Sequence, residues 1–245
     1  MNPQIKKEIP FRPSALKERK DFYENEFSIQ DVKNWFKKNK IPLPQLCAID
    51  AGTESKIILN KKLNKALFYF PFKNLKEKIK KYSPEDIYYD KNIYKNPKET
   101  LDLLNFNDWK AQELVFDLDA DNLKCNCKNK EKPCNQCLND LYLYSISLKK
   151  LLKKEGFSKI FLVYSGRGFH IHVLDKKAYL FTIKQRKALT KKISNFPLDP
   201  WVSQGNINLI RLPYSLHGLV SRKCLPLKNN KFNLDKTIPN FLKTE

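Results

Sequence analysis

The stretch Glu113-Leu-Val-Phe-Asp-Leu-Asp119 decides how the rest of the chain is read. Its branched and aromatic residues predict a β-strand. Alternate side chains of a strand share a face. Leu114, Phe116 and Leu118 then point to one side, and Val115, Asp117 and Asp119 to the other. The two carboxylates lie about 7 Å apart at Cα. Like charges on one strand face repel unless a cation lies between them. Carboxylate oxygens suit Mg²⁺ or Mn²⁺, so Asp117 and Asp119 are candidate ligands for one or two such ions in phosphoryl or nucleotidyl transfer. Taken alone the pair is weak support, because Asp119 also reads as the solvent end of an ordinary strand.

Downstream stands Cys125-x-Cys127-x6-Cys134-x2-Cys137. Four thiolates this close can surround one Zn²⁺ tetrahedrally. Lys124, Lys128, Lys130 and Lys132 interleave with them and favour the thiolate form. The loop has almost no apolar residue, so a metal accounts for its order better than a core does. With all four ligands from protein the zinc is structural; free thiols or two disulfides are the alternatives. Cys47 and Cys224 stand alone and read as core thiols. Residues 138–155 then predict a helix that turns Leu141, Leu148, Leu151 and Leu152 inward, with Gly156 as its stop.

Residues 160–164 and 169–174 are two strands around Ser165-Gly-Arg-Gly168, which predicts a β-hairpin. The turn offers a hydroxyl, a guanidinium and two glycines whose amides can approach an anion. His170 and His172 share a strand face, while Phe169, Ile171 and Val173 point into the core. Ser165, Arg167 and His170 make a reasonable triphosphate cradle. A site of two histidines and a carboxylate for a metal is the rival reading, and a hairpin with polar decoration is the plain one. Further on, the segment from Asp199 to His217 places Asp199, Arg211 and His217 around a strand at 207–212 and a proline turn. Asp199 can be a third metal ligand, and Arg211 and His217 phosphate contacts, but the residues alone do not assign those roles.

Outward from this region the pattern is less dense. The first 25 residues are polar, carry three prolines and read as a surface arm. Residues 28–38 predict a helix capped by Ser28, with Ile29, Val32, Trp35 and Phe36 on one face. Residues 56–60 and 66–70 read as short strands, 74–82 as a basic helix and 182–194 as another helix. The order strand, loop, helix, strand, strand from 113 to 174 predicts an α+β fold, a mixed or antiparallel sheet with flanking helices. No GxGxxG turn or GxxxxGK[ST] loop supports a Rossmann or P-loop reading.

The composition fits an intracellular globular protein. The hydrophobic fraction is 41%, ample for a core, and no apolar run approaches a membrane span. The N-terminus lacks the apolar region of a secretory signal. Lys and Arg number 47 against 26 Asp and Glu, a formal charge of +21. Such a field draws in polyanions, nucleic acid among them.

Taken in order, these segments resemble the catalytic small subunit of archaeal and eukaryotic DNA primase. That family shows an ELVFDxD strand, a zinc knuckle ending CPxC, a helix, an SGR(R)GxH hairpin, then DxxVSxG ahead of a basic residue and SxH. The matches here are residues 113–119, 125–137, 165–170 and 199–217, and Phe22-Tyr23 is similar to the family's N-terminal pair. The combination is specific although no single motif is. The resemblance implies a primase-polymerase catalytic fold: one catalytic domain over 1–245 with a zinc knuckle inserted at 125–137.

The resemblance also implies roles. Asp117, Asp119 and Asp199 would be the metal triad for Mg²⁺ or Mn²⁺. Ser165, Arg167, His170, Arg211 and His217 would contact the incoming nucleotide's phosphates, and Cys125, Cys127, Cys134 and Cys137 would hold Zn²⁺. The implied activity is synthesis of short RNA primers on single-stranded DNA by two-metal nucleotidyl transfer from NTPs. A primase large subunit would be the partner, in the cytoplasm of an archaeal-like cell or in a nucleus. A stand-alone primase-polymerase using dNTPs and a non-catalytic zinc-containing nucleic-acid scaffold are the alternatives. Three departures mark the chain. Only residues 173–198 separate the hairpin from the third Asp, where relatives carry a long insertion. The family's early Arg-Glu strand has Ala66-Leu-Phe-Tyr-Phe70 as its nearest match, and the knuckle ends Cys134-Asn-Gln-Cys137.

Overall fold

Leu114, Phe116 and Leu118 enter one hydrophobic core and Val115 another. A strand covered on both faces in this way needs a layer of structure on each side. The computed structural model describes residues 9–52, 67–123 and 133–243. The N-terminal part runs α1 (Leu16–Asn25), α2 (Ile29–Lys38), β1 (Leu46–Asp50), β2 (Leu67–Pro71) and α3 (Leu75–Tyr82). Next come β3 (Asp86–Asp90), β4 (Asn92–Tyr94), α4 (Pro97–Leu103), β5 (Trp109–Gln112) and β6 (Leu114–Leu118). Helix α5 (Asn135–Lys154) leads to β7 (Ile160–Tyr164), β8 (Phe169–Val173), α6 (Lys176–Tyr179), α7 (Ile183–Lys192) and α8 (Pro200–Ser203). Four short strands follow: β9 (Leu209–Arg211), β10 (Leu216–His217), β11 (Arg222–Lys223) and β12 (Leu225–Pro226).

The larger sheet has the order β11-β10-β3-β1-β2, with β9 also on β3. The smaller has the order β12-β7-β8-β6, and β4 pairs with β5. Every pairing between these strands is antiparallel. The first core joins α1, α2 and α3 to the larger sheet and receives Val115 and Val163 from the smaller one. The second lies under α5, where Leu138, Leu141, Leu148 and Leu152 meet Leu114, Phe116, Leu162 and Ile171. The face of β6 that carries Val115 and Asp117 therefore looks toward the larger sheet.

Several local expectations hold. Ser28 caps α2 by accepting the Asp31 amide proton. The helix expected at 182–194 is α7, which a capping box of Thr182 and Gln185 starts. The β7–β8 hairpin pairs Tyr164 with Phe169. Gly156 ends α5 with φ +83°, and Leu151 is only half-buried. Cys47 and Cys224 are both fully buried.

Others do not. Residues 9–25 of the N-terminal segment are not a surface arm. Glu18 accepts the Ala15 amide at 2.7 Å and Arg12 clamps Glu18, so a helix starts at Leu16 and buries Phe22 and Tyr23. Ser14 is tied to the Gly218 carbonyl at 2.8 Å. Helix α5 begins ahead of the expected position because the Cys134 sulfur caps it, accepting from the Cys137 amide. Strands β1 and β3, the middle of the larger sheet, are absent from the sequence reading. The expected strand at 56–60 lies outside the described residues, as do Cys125 and Cys127 of the zinc knuckle. No helix among the described residues is long and apolar enough to cross a membrane.

Candidate active site

Strand β6 delivers Asp117 opposite His170 of β8. The chain returns to the same place much later. The Asp199 amide donates to the Asp117 carbonyl at 2.8 Å, and Leu198 bridges to Leu118. Asp199 then caps α8, its Oδ1 accepting the Trp201 amide at 2.8 Å. Asp119 lies just past β6, where its Oδ1 accepts the Asp121 amide at 3.2 Å. The three aspartates named from sequence are thus brought together.

Their electrostatics are strained. Burial, then the charges of Asp119 and Asp199, push the Asp117 carboxyl well above its ordinary pKa. Its buried Oδ1 has no hydrogen-bond donor and lies 3.6 Å from His170 Nε2. Asp119 is partly relieved by Arg167, whose Nη2 reaches Asp119 at 2.9 Å and Asp121 at 2.8 Å. Among the described residues no three His, Cys, Asp or Glu side chains are already gathered as a metal-ligand cluster. Asp119 is turned to Arg167 instead. The donor set still fits a hard divalent cation. It consists of carboxylate oxygens, one of them buried without a proton donor, in a place where negative charge is unfavourable.

The cationic side is built around Asp86, which the sequence reading missed. Asp86 is 4% exposed on β3, where an ionised side chain needs partners. Arg211 forms an ion pair with it, His217 Nδ1 lies 3.5 Å away, the Gly218 amide donates at 3.2 Å and the Tyr88 hydroxyl at 3.0 Å. Burial alone would raise the Asp86 pKa; Arg211 and His217 more than offset it and hold it well below. Asp86 in turn raises the pKa of Arg211 against burial. Burial and then Arg211 lower that of His217, while burial and then His172 lower that of His170, so both rings are neutral at pH 7.

The hairpin turn is pressed into this group. Gly166 has φ +114°, and a Cβ there would lie 2.6 Å from His217. A Cβ on Gly168 would lie 2.0 Å from the Leu118 carbonyl oxygen. Ser165 is buried, and its amide donates to the Gly168 carbonyl at 3.0 Å. Arg167, His170, Arg211 and His217 all lie near enough to shift one another or Asp117.

A buried polar layer supports the site. His172 belongs to this layer. Its Nδ1 lies 2.7 Å from Glu113, which also accepts from Tyr89 at 2.7 Å, and Trp35 meets the ring edge-on. Lys91 donates to the Val202 carbonyl of α8 at 2.7 Å, and burial pushes its pKa down to about 7. The only signal for these partners was an Asp or Lys embedded among strand residues. At the knuckle, Cys134 and Cys137 have sulfurs 3.5 Å apart, and the Cys137 amide donates to Cys134 at 3.4 Å.

The family model described as DNA primase small subunit matches residues 116–200. A DNA primase small subunit-like protein of Archaeoglobus fulgidus is 35% identical over 94% of this chain and 91% of its own length. The DNA primase small subunit PriS of Pyrococcus horikoshii is 30% identical over 75% of this chain and 50% of its own. The chain thus spans half the length of that relative. The polymerase domain of Mycobacterium tuberculosis Ligase D in complex with DNA aligns at TM-score 0.44 and 14% identity, over 73% of this chain and 66% of that one. With a relative matched at 35% identity across nearly its whole length, the chain belongs to the DNA primase small subunit family.

Proposed function

We propose that this chain is a template-directed nucleotidyltransferase that makes short RNA primers from NTPs on single-stranded DNA. The meeting of Asp199 with Asp117 and Asp119, beside Arg167, Arg211 and His217, carries this reading. Asp117, Asp119 and Asp199 would hold Mg²⁺ or Mn²⁺. When bound, such ions favour an ionised 3′-hydroxyl and neutralise the leaving pyrophosphate. Arg167 and Arg211 hold the β- and γ-phosphates in line, supported by neutral His170 and His217. Ser165 and the glycine amides of the turn orient the same phosphates. Asp86 fixes the direction of Arg211 before the nucleotide arrives.

Cys134 and Cys137 supply a CxxC knuckle with one sulfur at a helix N-terminus. With Cys125 and Cys127 they would bind one structural Zn²⁺ within a single catalytic domain. The +21 charge would track the template backbone. A large subunit of the primase would complete initiation, which needs two nucleotides at once.

The test is primer synthesis on poly-dT with ATP by Asp117→Ala and Asp119→Ala. Each should lose activity by at least about a hundredfold. Undiminished product from either would overturn the metal assignment.

A further inference from the structure

A cavity of about 1070 Å³ opens between α1, α2, α3 and the segment that leads into β1. It lies outside the aspartate site. Its rim carries Lys20, Lys33, Lys73, Lys76 and Lys80, all exposed. The one acid lining it, Glu24, is 3.9 Å from Lys20. Its floor is apolar. Leu43 is 44% exposed there, Phe27 and Ile29 are half-buried, and Tyr23 and Phe72 lie deeper at 7% and 8%. A rim of one sign around an apolar trough selects a partner with both properties reversed.

The chain itself supplies no such partner. Residues 1–8, 53–66 and 124–132 each carry more Lys than acid. A second copy brings another +21 charges. Polynucleotide would satisfy the lysines but not the floor. Stacking needs ring faces open to bases, and the deeper aromatic rings are nearly covered. The branched and prolyl walls at Ile29, Leu43, Pro44 and Pro71 suit aliphatic knobs.

We infer that this groove is a docking site for an acidic amphipathic helix of a partner protein. Apolar residues at i, i+3, i+4 and i+7 enter the trough. Flanking Asp and Glu meet Lys33, Lys73, Lys76 and Lys80, which sets salt dependence and rejects basic segments. This inference does not depend on the catalytic reading.

The test uses the full chain and a fluorescein-labelled peptide of about 16 residues, with Leu and Phe at that spacing and Glu between. Controls are the same peptide with Lys for Glu, and labelled oligo-dT. The acidic peptide should bind at least about tenfold tighter than the basic one and weaken with added KCl. The triple change Lys33→Glu, Lys73→Glu, Lys76→Glu, and separately Leu43→Glu, should each weaken it about tenfold or more. Thermal melting confirms that both variants fold, and a second charge variant, Lys80→Gln, covers failure of the triple. Equal binding of the two peptides would overturn the inference, as would insensitivity to Leu43→Glu. Loss of oligo-dT binding in the triple variant, with no peptide bound, would assign the groove to nucleic acid instead.

Discussion

The amide of Asp199 is hydrogen-bonded to the carbonyl of Asp117 at 2.8 Å. Main chain, not side chain, therefore fixes how close these two acids come. The charge they concentrate must be offset by something added, since burial and neighbouring acids leave the Asp117 carboxyl unwilling to ionise.

Asp117→Asn should make the metal-free protein more stable while removing activity. A carboxyl with a raised folded pKa adds stability while protonated. That stability is lost as pH rises above the unfolded value of about 4. In EDTA at pH 7.5 the variant should melt higher, by about 2–4 °C for each kcal/mol recovered. The gap should close on acidification. Mn²⁺ should raise the melting temperature of the wild type and leave the variant unmoved. A variant that melts lower in EDTA would refute this account.

Arg211→Ala strands the Asp86 carboxylate, and should cost about 3–5 kcal/mol in denaturant unfolding. Asp86 has a depressed folded pKa, so its contribution is present above the unfolded value and fades as pH falls toward the folded one. The variant's acid limb should be the shallower of the two. Adding Asp86→Asn to Arg211→Ala should recover part of the loss, and additive costs would argue against the pair.

The two turn glycines should fail differently. At Gly166 there are two obstacles, a φ of +114° that strains any L side chain and the His217 ring beside Asp86. Gly166→Ala should lower Tm through that strain and also raise the nucleotide KM. At Gly168 the obstacle is the Leu118 carbonyl. Backbone does not yield, so Gly168→Ala should lose stability, upward of about 1–3 kcal/mol. Wild-type melting of either variant would contradict the geometry.

Lys91→Met removes the donor that holds the Val202 carbonyl of α8. Asp199 begins that helix, so primer synthesis should drop about tenfold. Melting should be unchanged or higher, because a buried amine with its pKa near 7 is costly to keep charged. Full activity would remove Lys91 from the positioning layer.

Elemental analysis should find about one zinc per chain. Cys134→Ser and Cys137→Ser should each lose most of it, and retention in both would remove these sulfurs as ligands.

Three strands of the smaller sheet were legible, because β6, β7 and β8 are rich in branched and aromatic residues and the turn chemistry is explicit: Ser165-Gly-Arg-Gly168 announces a hairpin; the two-residue β12 was not. The site residues were legible through motif order, since nothing local in Asp199 says that it meets Asp117. What failed was the middle of the larger sheet, β1 and β3; the strands expected at 66–70 and 207–212 are β2 and β9. Leu46–Asp50 is buried along most of its length and lacks alternation, and Asp86–Asp90 opens and closes on acids. Acids are poor strand formers until a distant Arg211 is known to meet Asp86, and Tyr94 to meet Asp90. The N-terminal helix failed similarly, because its start depends on Arg12 and Glu18 rather than on a Ser or Asp cap.

The cationic side of the crevice rests on guanidinium groups, with both imidazoles kept neutral by their surroundings. Arg167 and Arg211 are each pushed further from deprotonation by the acids they face. The grip on a triphosphate would then be indifferent to cellular acidity near neutrality. Whatever pH sensitivity the site has near neutrality should come from its raised acids and from Lys91, whose amine burial brings to about 7.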